Sequence, residues 1–302
     1  PGCATTLALA RATSALLADR RIPPPRRTPP FIWPPEIEGT IALLAARPDL
    51  AARARAVVHM DMVGGDEDVT RSILHVTRSP RSLPTAVNDV AEAFGRFVNE
   101  QSYEFAATGS AAYPLVDPEG GRQALRARIA DFSMGSDHQV WTEGSFRIPA
   151  IYLNDWPDRY IHTHADGVAN IDPTKLLRAA FIGAASGYYL ASLGEADVPE
   201  LLGVVRRHAL ERTAAALARA ERLDGEEAAD LLRSHAAHES AVLASIGTLA
   251  PWPAESRDRI VAIGEEIVAL VDPHADAAPP TATSPPTDEE GGAVCFRRQR
   301  PK

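Results

Sequence analysis

The segment WPDRYIHTHADGVANID, residues 156–172, carries residue types that bind metals or transfer protons. His162 and His164 stand two positions apart, and Asp166 follows two positions later. Imidazole and carboxylate groups are common ligands of zinc, and both also act as general acids or bases. The segment is therefore either a metal-binding or catalytic turn, or a polar loop that exposes its imidazoles to solvent.

Three apolar segments lead into such residues. FIWPPE ends at Glu36, VVHM is followed by Asp61, and IPAIYLND leads to the two histidines. In open α/β sheets, ligands bind in the crevice outside the carboxyl ends of the strands. If the three segments are strands of one sheet, their end residues form a site suited to zinc, manganese or cobalt. The alternative for each acid is a helix cap or a solvated loop.

Two further features affect this hypothesis. Asp61 lies between Met60 and Met62, and an unpaired carboxylate among buried apolar side chains is costly, so we expect a cation or hydrogen-bond donors beside it. GSDHQVW adds Asp137 and His138, which can orient a metal ligand or contact a substrate. The alternative is that the Ser-Asp pair of this segment caps the next helix.

Other histidines are predicted to be structural or exposed. His59 and His75 fall within strand segments and are expected to be hydrogen-bonded in the interior. Surface positions on the later helices are expected for His208, His235 and His238.

The composition excludes several functional classes. The 302 residues carry a formal charge of -9, which disfavours nucleic acids and lipid surfaces as partners. Neither an export signal nor an apolar run of the ~18 residues that span a membrane is present, so a cytoplasmic protein is expected. Cys3 and Cys295 lie near opposite ends, which argues against a disulfide framework and a Cys-based zinc site. The opening Pro-Gly-Cys indicates an internal start.

Hydrophobic periodicity predicts alternating strands and helices, hence an α/β layered sheet. Strands are predicted in FIWPPE, ARAVVHMDM, SILHVTRS and RIPAIYLND, and helices over residues 3–19, 37–49, 83–102 and 172–193. Residues 104–147 are predicted to be irregular. The expected domains are a sheet domain over 1–193, an appendage of two or three helices over 194–272, and a disordered Pro-rich tail over 273–302.

Four segments resemble, in the right order, motifs of the di-zinc aminopeptidase family. These co-catalytic zinc metallopeptidases include bacterial leucyl aminopeptidases and glutamate carboxypeptidase-like enzymes. VVHMDMVGGDED resembles Asn-Leu-Asp-Met-Val-Gly, GSDHQVW resembles Ser-Asp-His, IPAIYLN resembles Ile-Pro-Ala, and RYIHTHADGVANID resembles Tyr-His-Thr-x-x-Asp-x-x-x-x-Ile-Asp. The resemblance covers about residues 1–193 and implies a three-layer α/β/α sandwich around a mixed sheet.

The resemblance also implies roles for individual residues around two zinc ions, an aspartate bridge and a general-base glutamate. Asp61 matches the carboxylate ligand of one zinc, and His162 matches the imidazole ligand of the other. His164 falls on a variable position. Glu36 aligns with a pair of glutamates of which only one is present here, so it is either the base or a zinc ligand, with Glu38 a poorer candidate for the other role.

The family's His-x-Asp segment and bridging aspartate would precede Pro1, so the chain carries only part of the ligand set. A single weakly held zinc is therefore expected rather than a pair, because a carboxylate bridge is what holds two cations together. The expected function is zinc-dependent, aminopeptidase-like hydrolysis of a peptide or aminoacyl substrate by a metal-activated water, at an incomplete site. The alternative is a catalytically degenerate relative that acts as a binding protein. A Ser/His/Asp hydrolase is disfavoured, because the chain has no Gly-x-Ser-x-Gly elbow.

Overall fold

The computed structural model describes residues 1–272, which contain a mixed sheet of four strands. The strands are β1 (Val57–Met60), β2 (Ile73–Thr77), β3 (Arg128–Ala130) and β4 (Ala150–Trp156), in the order β1-β4-β2-β3. β1 is parallel to β4, β2 is parallel to β3, and β2 runs antiparallel to β4. The carboxyl ends of β1 and β4 therefore lie at one end of the sheet, and those of β2 and β3 lie at the opposite end.

Helices connect and extend this sheet. They are α1 (Gly2–Ala18), α2 (Glu38–Ala46), α3 (Pro48–Arg53), α4 (Glu67–Thr70), α5 (Val87–Thr108), α6 (His138–Thr142), α7 (Pro173–Ser192), α8 (Val198–Ala220), α9 (Gly225–Leu249) and α10 (Ala254–Val271). α7 begins where the Asp-Pro pair predicts, since Asp172 accepts a hydrogen bond from the Thr174 backbone N–H at 3.0 Å. Among the helices of residues 1–272, none is both long and apolar enough to cross a membrane.

Helices pack on both faces of the sheet, as the alternation of side chains along β4 shows. Ile151 and Leu153 lie in the larger core, together with residues of α5 and α7. Ala150 lies in a smaller core on the other face, with Val140 of α6 and Leu44 of α2. Because successive side chains of a strand point to opposite faces, the two cores place helices above and below the sheet. The predicted α/β fold with a mixed sheet is confirmed.

The C-terminal helices share the larger core with the sheet. Leu201 of α8, Ile246 of α9 and Ile263 of α10 belong to the same buried cluster as Val90 of α5. The predicted helical region beyond the sheet is therefore confirmed, and its apolar faces continue the core of the sheet layer. The tail over 273–302 lies outside the described residues.

Two local predictions are wrong. FIWPPE forms no strand, because Pro34 and Pro35 have no N–H to donate to a neighbouring strand. The segment 104–147 is not irregular throughout, since it contains the end of α5, β3 and α6. β3 is short enough that its pattern of alternation carries little signal.

The prediction that the later histidines are exposed is also wrong. His208 and His235 are buried, and His238 is half-buried. His208 Nδ1 lies 3.2 Å from Asp89 Oδ1 of α5, and His235 Nε2 lies 2.9 Å from Thr213 Oγ1 of α8. Hydrogen-bond partners on neighbouring helices offset the cost of burying His208 and His235. The sequence pattern of a single helix does not reveal such partners.

Candidate functional site

The candidate site is a polar layer between the sheet and α6. His59 of β1 and Tyr152 of β4 are neighbours in the parallel register, and both side chains lie on the face that α6 covers. Their rings are 5.2 Å apart between centroids. The imidazole of His138, at the start of α6, stacks on the Tyr152 ring at 4.1 Å and 16°. Three rings therefore form one packed group beneath the helix.

A chain of hydrogen bonds links this group to Glu36. Ser136 Oγ donates to Glu36 Oε1 at 2.7 Å and lies 2.8 Å from His59 Nε2. Because the Ser136 hydroxyl donates its only proton to Glu36, it can only accept from His59. His59 is therefore a neutral imidazole with its proton on Nε2, and it donates that proton to Ser136 Oγ. The Tyr152 hydroxyl donates to Asp61 Oδ2 at 3.2 Å. Of the cation or hydrogen-bond donors expected beside Asp61, the structure shows a donor, the hydroxyl group of Tyr152.

The two carboxylates lie close to the same tyrosine. The pKa of Tyr152 is raised well above its usual value, first by burial and then by the negative charge of Asp61, with a smaller contribution from Glu36. The nearby Ser136 hydroxyl acts on this pKa in the opposite direction. Tyr152 is therefore a fixed neutral donor that connects Asp61 with the group around Glu36.

Both histidines of the layer are held neutral. Burial lowers the pKa of His59, although the charges of Asp137 and Glu36 oppose this. Burial likewise lowers the pKa of His138 to about 4. His138 Nε2 lies 2.6 Å from the Ser133 carbonyl, so Nε2 carries the proton and Nδ1 carries a lone pair. That Nδ1 is buried and has no hydrogen-bond partner among residues 1–272.

Asp137 fixes the segment that carries Glu36. Its Oδ1 accepts hydrogen bonds from the Ile37 backbone N–H at 2.6 Å and from Thr40 Oγ1 at 2.8 Å. The alternative prediction of a side-chain cap on α6 is wrong, because neither Asp137 nor Ser136 accepts a side-chain hydrogen bond from the backbone N–H groups of the first turn. Asp137 instead holds Ile37 at φ 59°, a conformation that β-branched residues rarely adopt.

A buried ion pair positions the loop between β1 and β2. Lys175 Nζ of α7 lies 2.8 Å from Asp155 Oδ1 of β4, and it also donates to the carbonyls of Gly65 and Ser72. The Gly65 N–H donates to Asp155 Oδ2 at 2.7 Å. These bonds tie the loop after Asp61 to β4 and α7.

His162 does not join this layer. It lies exposed on the loop after β4, with φ 60°, and its side chain makes no hydrogen bond, ion pair or ring contact with another residue of 1–272. His164 is exposed on the same loop. Within the part of the chain that the structure describes, no three His, Cys, Asp or Glu residues are close enough to bind one metal ion. Glu36 and Asp61 fit the carboxylate part of a zinc site, but the ligand set that the resemblance assigns is not assembled.

The structure adds three residues that the sequence did not indicate as site residues. The sequence indicates Ser136 only as a helix cap and His59 only as a structural histidine, and no pattern in it points to Tyr152. A signal for one of them exists in the strand periodicity, because His59 and Asp61 are two positions apart and an extended chain directs such residues to the same face. No local pattern indicates that Ser136 lies between His59 and Glu36.

The chain matches no protein-family model, no curated protein and no solved structure. The likeness to di-zinc aminopeptidases rests on the four sequence segments alone.

Proposed function

We propose that this chain is an aminopeptidase-like hydrolase of the zinc-dependent kind, with Glu36 and Asp61 as the carboxylates of its site. The observation that supports this best is that two acids from separate segments are bonded to hydroxyls of the same polar layer, Glu36 to Ser136 and Asp61 to Tyr152. Both acids lie beside the carboxyl end of β1, where ligands of open α/β sheets bind.

In this proposal Glu36 is the general base. Its side chain is exposed, Oε1 is held by Ser136, and Oε2 accepts no hydrogen bond from residues 1–272. An attacking water can therefore bind at Oε2, lose a proton to the carboxylate and add to the peptide carbonyl, and the proton then passes to the departing amine. Because His162 lies apart from the two acids, we assign no step of this reaction to a metal.

The alternative is a binding protein that retains the fold without the reaction. It is favoured by the fact that each carboxylate already accepts a hydrogen bond from a protein hydroxyl, which satisfies it without a cation. The two proposals differ in whether the chain binds zinc and cleaves an amide.

The test is zinc content by mass spectrometry after loading and dialysis, with hydrolysis of aminoacyl anilides measured on the same samples. We expect Asp61→Asn to lower zinc content, and Glu36→Gln to abolish hydrolysis. Glu104→Gln on α5 is the matched control, because Glu104 is exposed and its carboxylate makes no hydrogen bond or ion pair with residues 1–272. Cleavage by Glu36→Gln that equals cleavage by Glu104→Gln would exclude Glu36 as the base. A folded chain that binds no zinc and cleaves no anilide would favour the binding protein.

A further inference from the structure

A second site is visible at the opposite end of the sheet. A cavity of about 290 Å³ lies beyond the carboxyl ends of the parallel strands β2 and β3, and Arg78 and Asp131, which follow these strands, line it. The start of α5 and the helices α8 and α9 form its other walls. The carboxyl ends of neighbouring parallel strands are the usual position of ligand sites in α/β sheets.

Three arginines line this cavity, and they differ in how far they are neutralised. Arg212 is held between Asp89 and Glu239, at 2.7 and 2.8 Å. Arg78 pairs with Glu92 at 2.5 Å and, more weakly, with the exposed Asp131 at 3.6 Å. Arg81 has no carboxylate partner among residues 1–272, so its guanidinium is available to an anionic ligand. A guanidinium is suited to bind a carboxylate through two parallel hydrogen bonds.

Two buried polar atoms of the cavity wall have no partner. Asp89 is 1% exposed, and its Oδ1 is used by Arg212 and His208 while Oδ2 accepts no hydrogen bond from residues 1–272. Arg78 Nε is likewise buried without an acceptor. Leaving a buried polar group unpaired costs free energy, so each such group in a native structure calls for a partner. Since both residues line the cavity, an unpaired acceptor and an unpaired donor belong to the same wall as the guanidinium of Arg81.

We propose that this cavity binds a small carboxylate that carries a hydrogen-bond donor next to its acid group, such as an α-amino acid or an α-hydroxy acid. Arg81 and Arg78 bind the carboxylate, and Asp89 accepts the bond from the ammonium or hydroxyl group. The volume lies just below the roughly 300–1,000 Å³ of pockets for drug-sized ligands, which favours a small ligand. The site is separate from Glu36 and Asp61 and does not depend on the proposed hydrolysis.

The walls also predict a consequence of binding. Arg78 and Asp89 belong to the sheet domain, while Arg212 of α8 and His238 of α9 belong to the C-terminal helices. A ligand in this cavity contacts both parts. Because it binds the folded chain and not the unfolded one, it raises the free energy of unfolding with the logarithm of its concentration once that exceeds Kd.

The experiment is calorimetric titration of the full chain with L-serine, L-lactate, acetate and inorganic phosphate, supported by thermal unfolding with each compound. We expect L-serine or L-lactate to bind more tightly than acetate, because acetate has no donor for Asp89. Arg81→Gln should weaken that binding about 10- to 100-fold, the effect of one charged hydrogen bond, without changing the unfolding temperature of the free protein. The matched control is Arg207→Gln on α8, since Arg207 is exposed and does not line the cavity.

Several outcomes would overturn the proposal. Absence of binding by L-serine and L-lactate at millimolar concentration would show that the cavity is not such a site. Equal affinity of Arg81→Gln and Arg207→Gln would place any binding elsewhere. Phosphate or acetate binding as tightly as L-serine would show that Asp89 contributes no contact and that the site takes simple anions.

Discussion

Replacing Asp137 by alanine tests whether this residue fixes the segment that carries Glu36. The carboxylate is 8% exposed and accepts two hydrogen bonds, from the Ile37 N–H and from Thr40 Oγ1. Hydrogen bonds to a charged group contribute ~1.5–3 kcal/mol each. Their loss is offset in part, because Ile37 can then leave φ 59° and recover the ~1–3 kcal/mol that such a backbone conformation costs. We expect a net loss of roughly 2–3 kcal/mol in the free energy of unfolding.

The assay is urea unfolding of the wild type, Asp137→Ala and Asp137→Asn, followed by circular dichroism and analysed at a common m-value. Asp137→Asn keeps a neutral acceptor at Oδ1, so we expect it to lose about half as much stability as Asp137→Ala. If Asp137→Ala loses less than ~0.5 kcal/mol, in the range of an ordinary surface substitution, the two hydrogen bonds do not hold the segment. A loss in Asp137→Asn that equals the loss in Asp137→Ala would show that charge, and not hydrogen bonding, is the cause.

Three further predictions concern the groups around the site. Lys175→Met should lower the free energy of unfolding by ~3–5 kcal/mol, because it leaves the Asp155 carboxylate buried without its cation. Lys175→Met combined with Asp155→Leu should recover much of that loss in the same urea assay, and a double variant no more stable than the single one would contradict the ion-pair account. Burial holds the pKa of His138 at about 4, so the unfolded chain binds a proton that the folded chain does not, and stability falls as pH drops from about 6.5 toward 4. His138→Phe should flatten this decline by up to ~1.4 kcal/mol per pH unit in urea unfolding, and parallel profiles would exclude His138 as its source. Gly2→Ala would place a Cβ atom 2.3 Å from the Met60 carbonyl oxygen, so we expect a loss of ~1–3 kcal/mol in thermal unfolding, and an unchanged midpoint would show that α1 does not pack against the end of β1.

The elements of the fold follow from local patterns. The strands β1, β2 and β4 and the helices α5 and α7 lie where apolar periodicity predicts them, because burial of one face determines both the period and the element. The residues next to Asp61 also predicted a cation or a hydrogen-bond donor beside it, since a carboxylate between two methionines is costly without such a partner. These features depend on residues that are near one another in the sequence.

The arrangement of the site does not follow from such patterns. Glu36 and Ser136 are 100 residues apart, and their contact exists because the turn before α6 packs against the segment before α2. His162 matches a zinc ligand in the sequence motif, but it lies on an exposed loop. The motif could not predict this, because it does not determine the direction in which the loop leaves β4.

The sequence by itself determined the alternation of strands and helices, the C-terminal helical region and the need of Asp61 for a partner, because each depends on local burial and charge. Only the tertiary structure decided that Glu36 is joined to His59 through Ser136, and that His208 and His235 are buried against polar partners. It also decided that the carboxyl ends of β2 and β3 form a cavity with arginine walls. The physical reason is that hydrogen bonds between distant segments require a particular packing of layers, and periodicity within one segment carries no information about that packing.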